Sequence, residues 1–110
     1  MTELSASIRI VERIAPIAEG TVVPYYVSDR KLRIAIARVN GQLYAFGDLC
    51  TCSHPSCSLS GGLLTGQIVM CQCHGSRFDV TTGSVMNGPA TRPLSVYEIH
   101  ETGGEIQIRV

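Results

Sequence analysis

A chain of 110 residues has the length of one domain. With 45% hydrophobic and 16% charged residues it can build a packed core, which excludes an intrinsically disordered chain. Nine basic side chains balance nine acidic ones and no basic run interrupts that balance, so the composition excludes a nucleic-acid or membrane-surface binder.

Met1 to Ser7 has no positive region followed by an apolar one, and so does not read as a secretory signal. Residues 8–11 and 21–27 read as two weak strands, with room for one short turn between Ile14 and Gly20. Arg33 to Val39 alternates with Ile34 and Ile36 on one face, Asn40-Gly41 is a type I′ hairpin signal, and Gln42 to Phe46 is the returning strand. Gly61-Gly62 and Thr65-Gly66 bracket a short hairpin that leads into Ile68 to Met70. Arg77 to Val80 and Ser84 to Met86 are joined by Thr81-Thr82-Gly83, and Pro93 to His100 and Glu105 to Val110 flank Thr102-Gly103-Gly104. Helical periodicity is missing throughout. Many short strands punctuated by turns predict an all-β antiparallel sandwich or small barrel, a single domain over 1–110.

The apolar stretches, such as Ile34 to Ala37 and Ile68 to Cys71, are too short to span a bilayer. The expectation is a cytoplasmic protein with no membrane partner. A reducing compartment favours metal or redox roles for cysteine. Here Cys50, Cys52, His54, Cys57, Cys71, Cys73 and His74 fall within 25 residues and only His100 lies outside. The first group reads Cys52-Ser53-His54 and the second Cys71-Gln72-Cys73-His74, with sixteen residues between His54 and Cys71. Each offers a thiolate and an imidazole close together, at the ends of hairpins, where two loops can converge on one site. Two sulfur and two nitrogen donors suit tetrahedral zinc or an iron–sulfur centre. In a Rieske centre each loop must supply one ligand to each iron, and the pairing of Cys with a near His in both loops allows that.

Cys-x-His, sixteen residues, then Cys-x-x-His resembles the Rieske signature. The likeness extends through Leu59-Ser60-x-Gly62, His74-Gly75-x-x-Phe78-Asp79, Thr82-Gly83 and Gly88-Pro89-Ala90, and is similar to the soluble Rieske ferredoxins of aromatic-ring dioxygenases from Gly41 onward. The resemblance implies a cluster-binding subdomain of two hairpin loops over about residues 49–90. It would hold one [2Fe–2S] cluster per chain on Cys52, His54, Cys71 and His74. It also implies a one-electron carrier, not itself an enzyme, that docks transiently between a flavin-dependent or similar reductase and a terminal oxygenase. Cys57 and Cys73 depart from that subfamily: Cys52-Ser-His54-Pro-Ser-Cys57 and Cys71-Gln-Cys73-His74-Gly-Ser76 resemble the loops of cytochrome bc-type Rieske proteins. That likeness implies a Cys57–Cys73 disulfide and a Ser76 hydroxyl bonded toward cluster sulfur, while Phe78 stands where that family has a tyrosine.

Around these ligands, Gly75, Gly83 and Gly88 are expected to relax the backbone, and Pro89 to stiffen a third shielding loop. Cys50 is expected in the core and His100 on the surface. Two rival functions are a small subunit docked permanently in a larger, nitrite-reductase-like oxidoreductase and a zinc-bound structural module.

Overall fold

The computed structural model describes residues 8–11, 17–51, 57–73, 75–88, 90–103 and 105–110. Its strands, in chain order, are β1 (Ile8–Val11), β2 (Val22–Val27), β3 (Leu32–Val39), β4 (Gln42–Gly47), β5 (Leu63–Thr65), β6 (Ile68–Met70), β7 (Arg77–Asp79), β8 (Val85–Asn87), β9 (Val96–Thr102) and β10 (Glu105–Arg109). Six form one sheet in the order β1-β10-β9-β4-β3-β2, a nearly closed barrel, and four form a second sheet in the order β5-β6-β7-β8. All neighbours run antiparallel. The all-β expectation holds. Two short 3-10 turns, Ser28–Arg30 and Leu59–Gly61, interrupt the strands.

The β3–β4 hairpin turns where the sequence says it should. Asn40 and Gly41 have φ of 53° and 80°, the left-handed pair that a type I′ turn requires. The Glu19 carboxylate accepts from both their N–H groups, at 2.6 and 2.8 Å.

β3 was expected to bury one face and instead buries both. Ile34 and Ile36 join Val27, Leu43, Ala45, Ile106 and Ile108 inside the barrel. Ala35, Ala37 and Val39 point the other way and, with Phe46 of β4, pack against Leu59 of the 3-10 turn and Val69 and Phe78 of the small sheet. Large residues therefore fill the barrel while small alanines let the second sheet approach the strand closely. Burying each large side chain contributes about 1.5–3 kcal/mol.

The strand expected from Pro93 begins only at Val96. Proline brings no N–H to a ladder, and Leu94 is diverted to Gly83: its N–H donates to the Gly83 carbonyl at 2.8 Å. Gly83 has φ +84°, and a Cβ there would lie 2.4 Å from the Leu94 carbonyl oxygen, so the contact requires glycine. Of the segment Ile14 to Gly20, residues 17–20 are described and hold a turn at Glu19-Gly20 without a helix.

One buried carboxylate ties the barrel to the 3-10 turn that leads into the small sheet. Asp48, immediately after β4, is fully buried. Its Oδ2 accepts from Arg33 Nε at 2.5 Å and from Ser60 Oγ at 3.0 Å, and its Oδ1 accepts from the Ser60 N–H at 2.7 Å. Its own N–H donates to the Arg33 carbonyl at 3.1 Å, and its carbonyl accepts from the Leu59 N–H at 2.6 Å. Asp48→Ala should lower the unfolding free energy in a urea titration by about 2–4 kcal/mol, because Arg33 and the Ser60 N–H lose their acceptor together. Asp48→Asn, which keeps a carbonyl for Ser60, should cost about half as much. An alanine variant of wild-type stability would contradict this role.

Candidate metal centre

Both predicted ligand loops are pinched at the base. In the first, the Cys50 N–H donates to the Cys57 carbonyl at 2.9 Å, and Leu49 and Ser58 form an isolated antiparallel bridge. In the second, the Cys71 N–H donates to the Ser76 carbonyl at 2.8 Å and the Gly75 N–H returns to the Cys71 carbonyl at 3.0 Å. That tight return uses φ +80° at Gly75. Cys71 follows β6 and Ser76 precedes β7, so the second loop is the crown of the β6–β7 hairpin.

Cys57 and Cys73 are joined by a disulfide with their Cα atoms 6.3 Å apart, tying the foot of the first loop to the second. Cys57 is buried, whereas the Cys73 residue is exposed. Cys71 is a fully buried free thiol beside this bridge; the sulfurs of Cys57, Cys71 and Cys73 all lie within 4.8 Å of one another. Cys57 and Cys73 are occupied with each other. Of these three, Cys71 alone keeps a sulfur to offer a metal. Cys52, His54, His74 and Pro89 lie outside the described residues. Cys71, a buried thiol outside the disulfide at the foot of the second loop, fits a cluster that takes one cysteine from each loop.

Ser76 is fully buried, and its Oγ accepts from the Ala90 N–H at 3.0 Å. The hydroxyl thus anchors the third loop and still has its own proton to donate. Phe78 is fully buried in one apolar cluster with Cys57 and Cys71. Asp79 closes the next turn. Burial pushes its carboxyl up, but bonds from the Thr81 hydroxyl and N–H (2.6 and 2.9 Å) and from Gln67 (2.7 Å) outweigh that and hold it below the ordinary carboxylate range. Among the described residues, Gly88 has neither a left-handed φ nor a crowding atom within 3.4 Å of a Cβ there.

The Leu59-Ser60-x-Gly62 motif also acquires a physical meaning. Leu59 is fully buried, Ser60 caps Asp48, and a Cβ on Gly62 would stand 2.1 Å from the Met70 carbonyl oxygen. Cys50 is buried in the core between the sheets. His100 is exposed on β9, its Nε2 3.0 Å from Glu98 Oε2. Asp48 escaped the sequence reading because one Asp after a strand looks like an ordinary turn residue; its spacing to the Leu-Ser motif was the available signal.

The profile of the Rieske [2Fe-2S] domain matches residues 8–98. The chain is 41% identical over 75 residues, 68% of each chain, to a protein named ferredoxin CarAc from Metapseudomonas resinovorans. A solved structure, a complex of reduced oxygenase and oxidized ferredoxin in carbazole 1,9a-dioxygenase, matches with a TM-score of 0.75 and 35% identity over 84% of this chain and 91% of that one. An NADH-dependent nitrite reductase small subunit from Mycobacterium tuberculosis shares the fold with a TM-score of 0.80, at 20% identity over 96% of both chains. The match runs from the first barrel strand into β9 and spans both pinched loops: this chain belongs to the Rieske [2Fe–2S] family and is an electron carrier.

Proposed function

We propose that the chain takes single electrons from a flavin-dependent or similar reductase and passes them to a terminal oxygenase in the cytoplasm, with Cys52, His54, Cys71 and His74 holding its cluster. The observation that carries the ligand set is Cys71, a buried thiol left free where the Cys57–Cys73 bridge joins the two loops. The oxygenase partner is supported by the relative whose structure pairs a ferredoxin with an oxygenase. Among the described residues no helix is long and apolar enough to cross a membrane.

The cluster supplies reversible one-electron chemistry. The chain's residues about 49–90 would do the rest: the pinched loops fix the ligands, Phe78 and its apolar neighbours exclude water beneath Cys71, and Ser76 directs a proton toward the sulfurs. Docking would be brief, through a small interface. The zinc reading falls with the family match. The permanently docked subunit has the nitrite reductase likeness behind it, which reaches the fold and no further.

Replacing His54 or His74 with Ala should abolish the visible spectrum, while His100→Ala should leave it intact; a normal spectrum without His54 would overturn the ligand set. Thiol titration of the unfolded, metal-free protein should count three free cysteines before reduction and five after it, since the bridge holds two of the five. Five at the outset would remove the bridge.

Donors to cluster sulfur favour the reduced, more negative state and raise the potential. With the bridge and Ser76 present and a tyrosine hydroxyl missing at Phe78, the potential should lie between the dioxygenase-ferredoxin and cytochrome bc types, within about −150 to +300 mV. Ser76→Ala should lower it by about 40–90 mV, which corresponds to a hydrogen bond of roughly 1–2 kcal/mol in a one-electron couple. Voltammetry reads the shift, and an unmoved potential would remove Ser76 from the account.

A further inference from the structure

Lys31, Arg33 and Arg92 line one open cleft of about 310 Å³ together with Leu49, Thr51 and Tyr97. Three strands of evidence make this more than a surface dent. The first is position. Leu49 and Thr51 are the stem of the first ligand loop, adjoining Cys52 in sequence, and the Thr51 hydroxyl donates to the Arg92 carbonyl at 2.5 Å, fixing the arginine's backbone beside that stem.

The second is charge. The Arg33 guanidinium is held by Asp48, but the Lys31 and Arg92 side chains, both exposed, have no partner among the described residues. From Leu49 to Tyr97 the sequence holds one carboxylate, Asp79, whose oxygens are engaged by Thr81 and Gln67. The carboxylates of β9 are neutralised where they stand, Glu101 by Arg38 and Glu98 by Arg109. Among the described side chains, a chain of zero net charge thus leaves Lys31 and Arg92 without a paired carboxylate beside the ligand loop. The third is an apolar contact at the same place: Leu49 is 44% exposed.

We propose that this cleft seats a carboxylate-bearing loop of the redox partner protein, with Lys31 and Arg92 pairing its acidic side chains and Leu49 packing against its apolar atoms. Asp or Glu on the partner complements the cleft in charge, and a cleft focuses that attraction into a faster encounter. The seat places the partner against the stem of the ligand loop. The inference rests on the electron-carrier reading.

Two outer-sphere oxidants of opposite charge read the cleft directly. The reduced holoprotein is mixed by stopped flow with hexacyanoferrate(III), which takes one electron to become hexacyanoferrate(II), or with tris(phenanthroline)cobalt(III), reduced to cobalt(II). At low ionic strength Lys31→Glu and Arg92→Glu should each slow the anionic oxidant by about threefold, and together by about tenfold, while speeding the cationic one. The differences should fade in about 0.5 M salt, where screening shortens the reach of charge to a few ångströms. Gln42→Glu, which adds an exposed negative charge at the far end of the β3–β4 hairpin, should move neither rate appreciably. In parallel, calorimetry should find that an oligoglutamate peptide binds the native protein and not the Lys31→Glu/Arg92→Glu variant. Equal effects from Gln42→Glu, or peptide binding that survives the double reversal, would overturn the cleft. A protein with no chromophore that dithionite bleaches would instead overturn the electron-carrier reading, and the peptide arm would still decide the cleft.

Discussion

The Asp48 carboxylate is a buried polar link between the barrel and the turn that leads into the small sheet. Three of its bonds are to side-chain or backbone donors separated from it by 12 or 15 residues, Ser60 on one side and Arg33 on the other. Burying a charge is costly unless its oxygens are satisfied, and here both are. The consequence is geometric: the first ligand loop leaves the barrel at Asp48 and returns at Leu59 and Ser60, so its two ends are fixed to one buried group. The loop between is then free to be shaped for ligation.

The second loop is held by different means that reach the same result. The β6–β7 hairpin supplies its stem, the Cys57–Cys73 bridge ties it to the first, and Ser76 ties it to the third through Ala90. A ligand set drawn from two loops needs such fixing, because a small displacement of either loop changes the distance between donors. The core beneath explains the rigidity: Cys57, Cys71 and Phe78 belong to the same buried cluster as Ala35, Ala37 and Phe46 of the barrel strands.

Much of this was legible in the sequence, for physical reasons. Asn40-Gly41 names its turn because few other pairs tolerate two left-handed residues, and the Cys and His spacing names a metal chemistry because soft donors rarely cluster otherwise. The double burial of β3 was missed because an Ile-Ala alternation imitates a one-sided strand. The late start of β9 was missed because it depends on Leu94 reaching Gly83, a contact between segments far apart in the chain. Asp48 and the Lys31–Arg92 cleft were missed for the same reason, since charge complementarity across a fold leaves no local pattern.

The central claim is that a mixed sulfur and nitrogen ligand set, one of each from each loop, makes this chain an electron carrier. Pulsed electron–nuclear double resonance on the dithionite-reduced protein tests it most directly, because nitrogen bound to iron carries unpaired spin that cysteine ligation alone cannot provide. Two strongly coupled nitrogens, both lost when the two loop histidines are replaced, are the predicted result. A paramagnetic [2Fe–2S] spectrum with no strongly coupled nitrogen would contradict the account.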